Sequence, residues 1–362
     1  MRFLLDDDQR EFARSLDRML TAAGTPAVAR SWAAGDTAPG RALWARLAEA
    51  DLFALAVPER HGGLGPLPVE LAVAFTELGR HVVPGPLVET AAGAALLDRL
   101  GIADAGDRPG ATDSAGRPKT ADIADTADRP GAAHAADLLS RIAAGEALVS
   151  LCVPAVGGPY ALDADAADAV LVVEGDTVRL AGAAGPVQPS ADPARRLARP
   201  LGGAVLARGP EVAAATAYAV DVAALATAAQ SLGLGRALLD RTVAYVRQRT
   251  QFGVPVGSFQ ALKHRLADTL IALEFARPLL HAAALALAEG AEHASAEVAA
   301  AKVTAGEAAH AAARTALQLH GAVGYTEELD LALWIRKARP LRDAWGTPAA
   351  CRARVLTKGA LA

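Results

Sequence analysis

The sequence is poor in sulfur and in rings, with two cysteines, two methionines and 4% aromatic residues among 362. Two thiols, Cys152 and Cys351, cannot make a disulfide framework or a metal knuckle, so each reads as an ordinary buried cysteine and no metal site is expected. A dominant charge is missing too. With 36 basic and 40 acidic residues the formal net charge is -4 and no Lys/Arg-rich run stands out, which argues against a nucleic-acid partner. Arg, Asp or Glu interrupts every apolar run, so membrane insertion is not expected. The opening "MRFLLDDDQREFARSLDRML" is charged throughout and lacks an apolar h-region, which gives the expectation of a cytoplasmic protein.

What is present is alanine, which inflates the 52% hydrophobic fraction and favours helix while burying little area. Residues 1–146 read as an N-terminal helical domain: "EFARSLDRMLTAA", "ALWARLAEADL" and "PVELAVAFTELGRHV" place apolar residues three or four apart. Between the second and third, "VPERHGGLGP" (Val57 to Pro66) marks a turn. Within this domain, residues 103–137 repeat "DRPGA" at Asp107 and Asp128 and carry almost no large apolar side chains, so a mobile insertion is expected there.

Residues 147–210 change period. "ALVSLCVPAV" and "DAVLVVEGDTVRLAG" read as strands, the second folded at a Gly-Asp turn, so a small β domain is expected. Residues 211–362 return to helix in three stretches longer than an ordinary helix of about 11 residues, which predicts a bundle of long helices. The fold class is therefore mainly α with a small β domain.

Three clusters could carry chemistry. "RQRTQFGVPVGSFQALKHRLAD" (Arg247 to Asp268) ends one helix in two arginines, turns at Gly253 and Pro255, and restarts after Ser258 as an N-cap. Paired arginines there suit a phosphate, although they equally suit the carbonyls of the helix end. "LQLHGAVGYTEELDL" (Leu317 to Leu331) ends a helix at Gly321 and Gly324, leaving backbone amides open to a ligand, with His320 read as structural. "HGGLG" (His61 to Gly65) has the same two readings.

In this order the three motifs resemble the acyl-CoA dehydrogenase family over nearly the whole chain. The resemblance implies an N-terminal helical domain, a middle β domain and a C-terminal four-helix bundle. It also implies FAD shared across a subunit interface, an acyl thioester substrate on CoA or an acyl carrier protein, and a homodimer, a homotetramer or a heterotetramer with a homologous subunit. By match to the motifs, Arg249 and Phe252 would contact the diphosphate or adenosine portion from one subunit, and Gln318, Gly321 and Gly324 would approach from another.

Family chemistry removes the α-proton of the thioester with a carboxylate while the β-hydrogen leaves as hydride to the flavin. The commonest base is the Glu of a Tyr-Glu-Gly-Thr turn, and the gap-free match places Trp345 there, followed by Gly346 and Thr347. The alternative helix position falls on Ala223, beside Ala224. Asp343, Glu327, Glu328 and Asp221 remain as nearby carboxylates. The family's Thr-Glu-Pro and Trp-Ile-Thr segments of the β domain have no counterpart, "LCVPAVGGPYALDAD" standing in place of the first. The indole of Trp345 can donate a hydrogen bond but cannot accept a proton. Three readings follow: an FAD-linked dehydrogenase with another base, a base-lacking or non-catalytic assembly subunit of a heteromeric enzyme, and a repurposed fold binding a CoA- or carrier-bound thioester in a biosynthetic pathway without dehydrogenation. In each, Trp345 and Gly346 are expected to meet the substrate.

Overall fold

A computed structural model describes residues 5–101 and 130–359. Five helices come first: α1 (Asp7–Ala22), α2 (Thr25–Ala33), α3 (Ala38–Glu49), α4 (Pro68–Arg80) and α5 (Leu87–Arg99). Their starts are chemically marked. Asp6 caps α1 in a reciprocal box with Gln9, and proline opens α4 where its missing N–H costs nothing. α5 is different, because almost its whole circumference is buried and it forms the centre of the N-terminal region.

The expected insertion at 103–137 lies mostly outside the described residues. Its last part is corrected: α6 (Pro130–Ala143) is a helix, and Ala135, Leu138, Leu139 and Ile142 are buried on one face at helical spacing. The large residues of that face begin only at Leu138, beyond the stretch that reads as low-complexity sequence.

The strand region contains β1 (Val149–Cys152), a short helix α7 (Pro154–Gly157), β2 (Ala161–Leu162), β3 (Ala169–Glu174), β4 (Thr177–Leu180), β5 (Ala183–Ala184), β6 (Leu197–Ala198), β7 (Pro200–Leu201) and β8 (Ala204–Arg208). The largest sheet has the order β1-β3-β4-β8, with β1 parallel to β3 and the other pairs antiparallel. β3 and β4 turn at Gly175, whose φ of 62° suits a residue without Cβ. Thr90 fastens this sheet to α5: its hydroxyl donates to Val149 O at 2.8 Å and accepts from Val149 N at 3.1 Å. That pair of hydrogen bonds fixes the first turn of α5 against β1.

Three long helices follow: α8 (Glu211–Gln248), then the small hairpin β9 (Thr250–Gln251) and β10 (Val254–Pro255), then α9 (Gln260–Ala288) and α10 (Ala294–His320). Ser258 does not cap α9. Its hydroxyl donates to Pro255 O at 2.7 Å inside a short 3-10 turn, and α9 begins without a side-chain cap. α11 (Leu331–Asp343) and α12 (Pro348–Gly359) pack on α10, which also packs on α8 and α9. The bundle meets the N-terminal helices where α4 crosses α8. A Cβ on Gly79 would lie 2.1 Å from Gln230 O, and one on Gly233 would lie 1.8 Å from Thr76 O, so only glycine permits the approach.

By length and composition alone, α8 and α9 are apolar enough to cross a membrane, which the reading of interrupted runs did not anticipate. The most apolar window of α8 is 72% buried in the protein and that of α9 39%. The difference is a face of α9 on which Ile271, Phe275 and Leu279 point outward at four-residue spacing.

Candidate active-site crevice and flavin-binding end

A crevice of about 270 Å³ opens between the strand region and the turn after α11. Its apolar wall comes from Leu151, Val153, Leu162 and Leu197, and its polar lining from Glu89, Tyr160, Ser190, Arg195 and Asp343. Trp345 closes one side.

The turn is held from beneath. Lys302 on α10 is 1% exposed and donates to Leu341 O at 3.0 Å, Arg342 O at 2.8 Å and Gly346 O at 3.4 Å. The first two are carbonyls of the last turn of α11, and a cation there also complements the helix dipole. Burial pushes the Lys302 amine down to about 8. Trp345 itself sits at φ 54°, a left-handed conformation strained for a bulky residue, and Gly346 at φ 133° leaves room for the Cys351 sulfur. The backbone thus turns the indole inward.

Trp345 is 9% exposed, and its Nε1 donates to Glu89 Oε1 at 2.9 Å. Glu89 occupies the first turn of α5, is 3% exposed, and has no hydrogen-bond partner at Oε2 among the described residues. Burial raises the Glu89 carboxyl above its ordinary range, opposed by the charge of Arg195 and by the indole bond. A second buried carboxyl, Asp163, accepts from Trp32 Nε1 at 3.0 Å and is pushed by burial to about 7, with Glu89 nearby adding to the rise. Lys337 of α11 pairs with the buried Asp192 at 3.2 Å. The interior behind the crevice is therefore unusually polar for a protein core.

Of the carboxylates weighed from the sequence, only Asp343 lines the crevice, where it pairs with Arg342 at 3.2 Å. Asp221 is buried on α8 but serves as a tie, accepting from Arg354 of α12 at 2.7 Å and from Ser295 at 3.2 Å. Glu327 is solvent-facing and pairs with Arg336 at 2.7 Å. Glu328 is exposed, and Ala223 and Ala224 are buried in α8. Sequence reasoning missed Glu89. The signal was one carboxylate in the apolar run "PLVETAAGAALL", a pattern that equally suits an acidic residue near a helix start.

The proposed flavin-contacting residues gather elsewhere, at one end of the bundle. Arg249 caps the C-terminus of α8 and Val256 N closes the hairpin onto Arg249 O at 2.8 Å. Phe252 stands at the hairpin tip with φ 55° and is 91% exposed. Tyr245 stacks on His320 with ring centroids 4.1 Å apart, joining the ends of α8 and α10, and Arg265 bonds Gln318. Gly321, at φ 65°, has open space where a Cβ would be, whereas a Cβ on Gly324 would crowd Leu317 O at 3.1 Å.

An exposed guanidinium and unhindered glycine backbone fit the diphosphate end of a dinucleotide such as FAD. The ring end fits less well. The wall facing Trp345 offers Val153, Gly157, Gly158 and Tyr160 in place of a hydroxyl-rich strand.

One cavity and one side-chain cluster lie apart from both places. A mainly apolar cavity of about 330 Å³ lies among α1, α4, α8 and α9. Beside it Asp17, Glu77 and His81 bring possible metal-ligand atoms within 4.8 Å of one another. Arg80 lies 3.4 Å from the Glu77 carboxylate, which already supplies a counter-charge.

The family of acyl-CoA dehydrogenase N-terminal domains matches residues 6–106, and that of acyl-CoA dehydrogenase C-terminal domains matches residues 212–358. The chain is 32% identical over 311 residues to acyl-CoA dehydrogenase IpdE2 of Mycolicibacterium smegmatis, covering 84% of each protein. Among solved structures it is similar to the Tcur3481-Tcur3483 steroid ACAD variant, with 25% identity, a TM-score of 0.75 and coverage of 98% of this chain and 99% of that one. It shares the fold of the ChsE4-ChsE5 complex from Mycobacterium tuberculosis, at 23% identity, a TM-score of 0.78 and 100% coverage of both chains. A helical domain, a small sheet and a long-helix bundle with matching family profiles at both ends leave one assignment: the chain belongs to the acyl-CoA dehydrogenase family.

Proposed function

We propose that this chain is the base-lacking subunit of a heteromeric, FAD-linked acyl-CoA dehydrogenase. The observation that carries the reading is Trp345: it occupies the turn where the family's usual carboxylate would stand, and its indole is committed to Glu89. Losing a positioned base costs about 10² to 10⁴ in rate, so efficient turnover calls for a subunit that has one. FAD, when bound, accepts the β-hydrogen of the acyl thioester as hydride. Arg249, Phe252, Gln318, Gly321 and Gly324 would hold its diphosphate and adenosine portion across the interface. The turn's own contribution is a backbone N–H at Trp345 suited to a thioester carbonyl.

Two further observations support this reading. The outward stripe of Ile271, Phe275 and Leu279 on α9 is apolar surface of the kind a subunit interface covers. The similar structures include a two-component complex and a protein described as a steroid ACAD, which favours a bulky, steroid-derived acyl thioester as the substrate class.

The test is to purify the chain alone and together with a homologous subunit that carries the turn glutamate. The expected result is a colourless chain alone and a yellow complex that oxidises an acyl-CoA. In the complex, Arg249→Ala should lower flavin content without dissolving the assembly. A chain that binds flavin by itself and is bleached by an acyl-CoA would overturn the base-lacking assignment.

A further inference from the structure

The crevice holds one buried polar atom that the protein itself leaves unsatisfied, with a guanidinium beside it. Glu89 is 3% exposed and its Oε2 has no hydrogen-bond partner among the described residues. Its other oxygen is fixed by the Trp345 indole at 2.9 Å, so the carboxyl has a set orientation. Arg195 is half-buried and lines the same crevice, where its charge acts on Glu89, and among the described residues no hydrogen bond or ion pair joins its side chain. A desolvated carboxyl oxygen is costly unless something bonds it, and the guanidinium beside it suits an anion that could do so. The remaining walls, Leu151, Val153, Leu162 and Leu197, are apolar, and about 270 Å³ is the scale of a small-molecule site.

We propose that this crevice binds the carboxylate of a small organic acid, which pairs with the Arg195 guanidinium and is hydrogen-bonded through one oxygen to Glu89. The planar fork of arginine matches a carboxylate in two parallel bonds. Glu89 complements it because burial favours its neutral form, in which Oε2–H donates to the ligand while Oε1 accepts from Trp345. The aliphatic walls take the body of the acid. Two sources share this chemistry: a free acid, and the far end of an acyl group whose other end is a CoA thioester.

Glu89 is faced by Arg195 and Asp163 from the strand region, by Lys337 from α11, and by Trp345. Ionising Glu89 places a second negative charge against the ligand. Affinity therefore falls as pH rises through the raised Glu89 titration.

Calorimetry on the purified full-length chain, or on its complex where the chain needs a partner subunit, tests this with cyclohexanecarboxylate and the neutral cyclohexanecarboxamide. The acid should bind at least ~10-fold tighter than the amide, the factor expected of one charge-assisted pair. Arg195→Met should remove that preference, and Arg195→Lys, which keeps the charge but not the fork, should retain part of it if the methionine variant does not fold. Glu89→Gln keeps a donor and should bind the acid with the fall at high pH abolished. Glutaryl-CoA and pentanoyl-CoA separate the sources: preference for glutaryl-CoA identifies the thioester's far end, while equal binding of the two with retained affinity for the free acid identifies a free acid. Equal binding of acid and amide, or an unchanged preference in Arg195→Met, overturns the proposal.

Discussion

The indole Nε1 of Trp345 donates to Glu89 Oε1 at 2.9 Å, joining the turn after α11 to the first turn of α5 across a separation of 256 residues. This bond sets the shape of the crevice, because it draws a large ring inward and fixes the direction of a buried carboxyl. It also accounts for the strained backbone at Trp345, which the underlying Lys302 bonds hold in place.

Trp345→Phe keeps most of the ring but removes the donor, leaving Glu89 without a side-chain hydrogen bond on either oxygen. The expected cost is about 1–3 kcal/mol in urea unfolding, and Trp345→Ala should cost about 3–5 kcal/mol. Adding Glu89→Leu to Trp345→Phe should recover much of the loss, since replacing both partners removes the unsatisfied group. Additive losses in the double variant would show that the bond is not energetically coupled.

Lys302 gives a pH signature. Its amine falls from 10.5 to about 8 in the folded chain, so between those values the unfolded state binds more protons than the folded one. Stability contributed by this group is therefore greatest above pH 10.5 and is lost as pH falls through about 8. Thermal midpoints of Lys302→Met compared with wild type should lack that rise with pH. An identical slope in both proteins would exclude Lys302 as its source.

Asp221 is a structural tie. Asp221→Asn should weaken its bonds to Arg354 and Ser295 and destabilise the chain by about 1–3 kcal/mol. Glu327→Gln, at a solvent-facing pair, should leave the unfolding midpoint unchanged. In the proposed heteromeric dehydrogenase neither change should move the pH profile of turnover. A shifted profile in either variant would return that carboxylate to the catalytic machinery.

The α4–α8 crossing reverses the usual effect of glycine replacement. Alanine normally gains about 1 kcal/mol over glycine inside a helix. At Gly79 or Gly233 the new Cβ meets a backbone oxygen within 2.1 or 1.8 Å, so overpacking by about 1–3 kcal/mol should dominate. Gly306→Ala on α10 is the control, because its Cβ would meet Arg342 at an ordinary 3.4 Å. Denaturation midpoints should fall for the first two and hold or rise for the third.

Much of the architecture was legible from local pattern. The 3.6-residue period of the long helices, the β-branched runs "AVLVV" and "TVRL", and the Gly175 turn each reflect backbone preferences that neighbouring residues settle among themselves. α6 was partly misread because the large residues of its buried face, Leu138, Leu139 and Ile142, come only after residue 137. Ser258 was misread because a serine before a helix can as easily bond the preceding turn as the helix start.

The motifs likewise placed Trp345 in the turn and Arg249 at a helix end, since sequence order fixes which residue follows a glycine turn. Sequence could not show where the Trp345 ring points, that Glu89 receives it, or that Arg195 faces the same space. Those contacts join α5, the strand region and the turn after α11, and they exist only because Thr90 docks α5 on β1 and Lys302 holds the turn above α10. The sequence alone determined most of the elements and set Trp345 in the turn after α11. Tertiary packing decided which distant polar groups were brought together, because long-range contact and desolvation have no local signature.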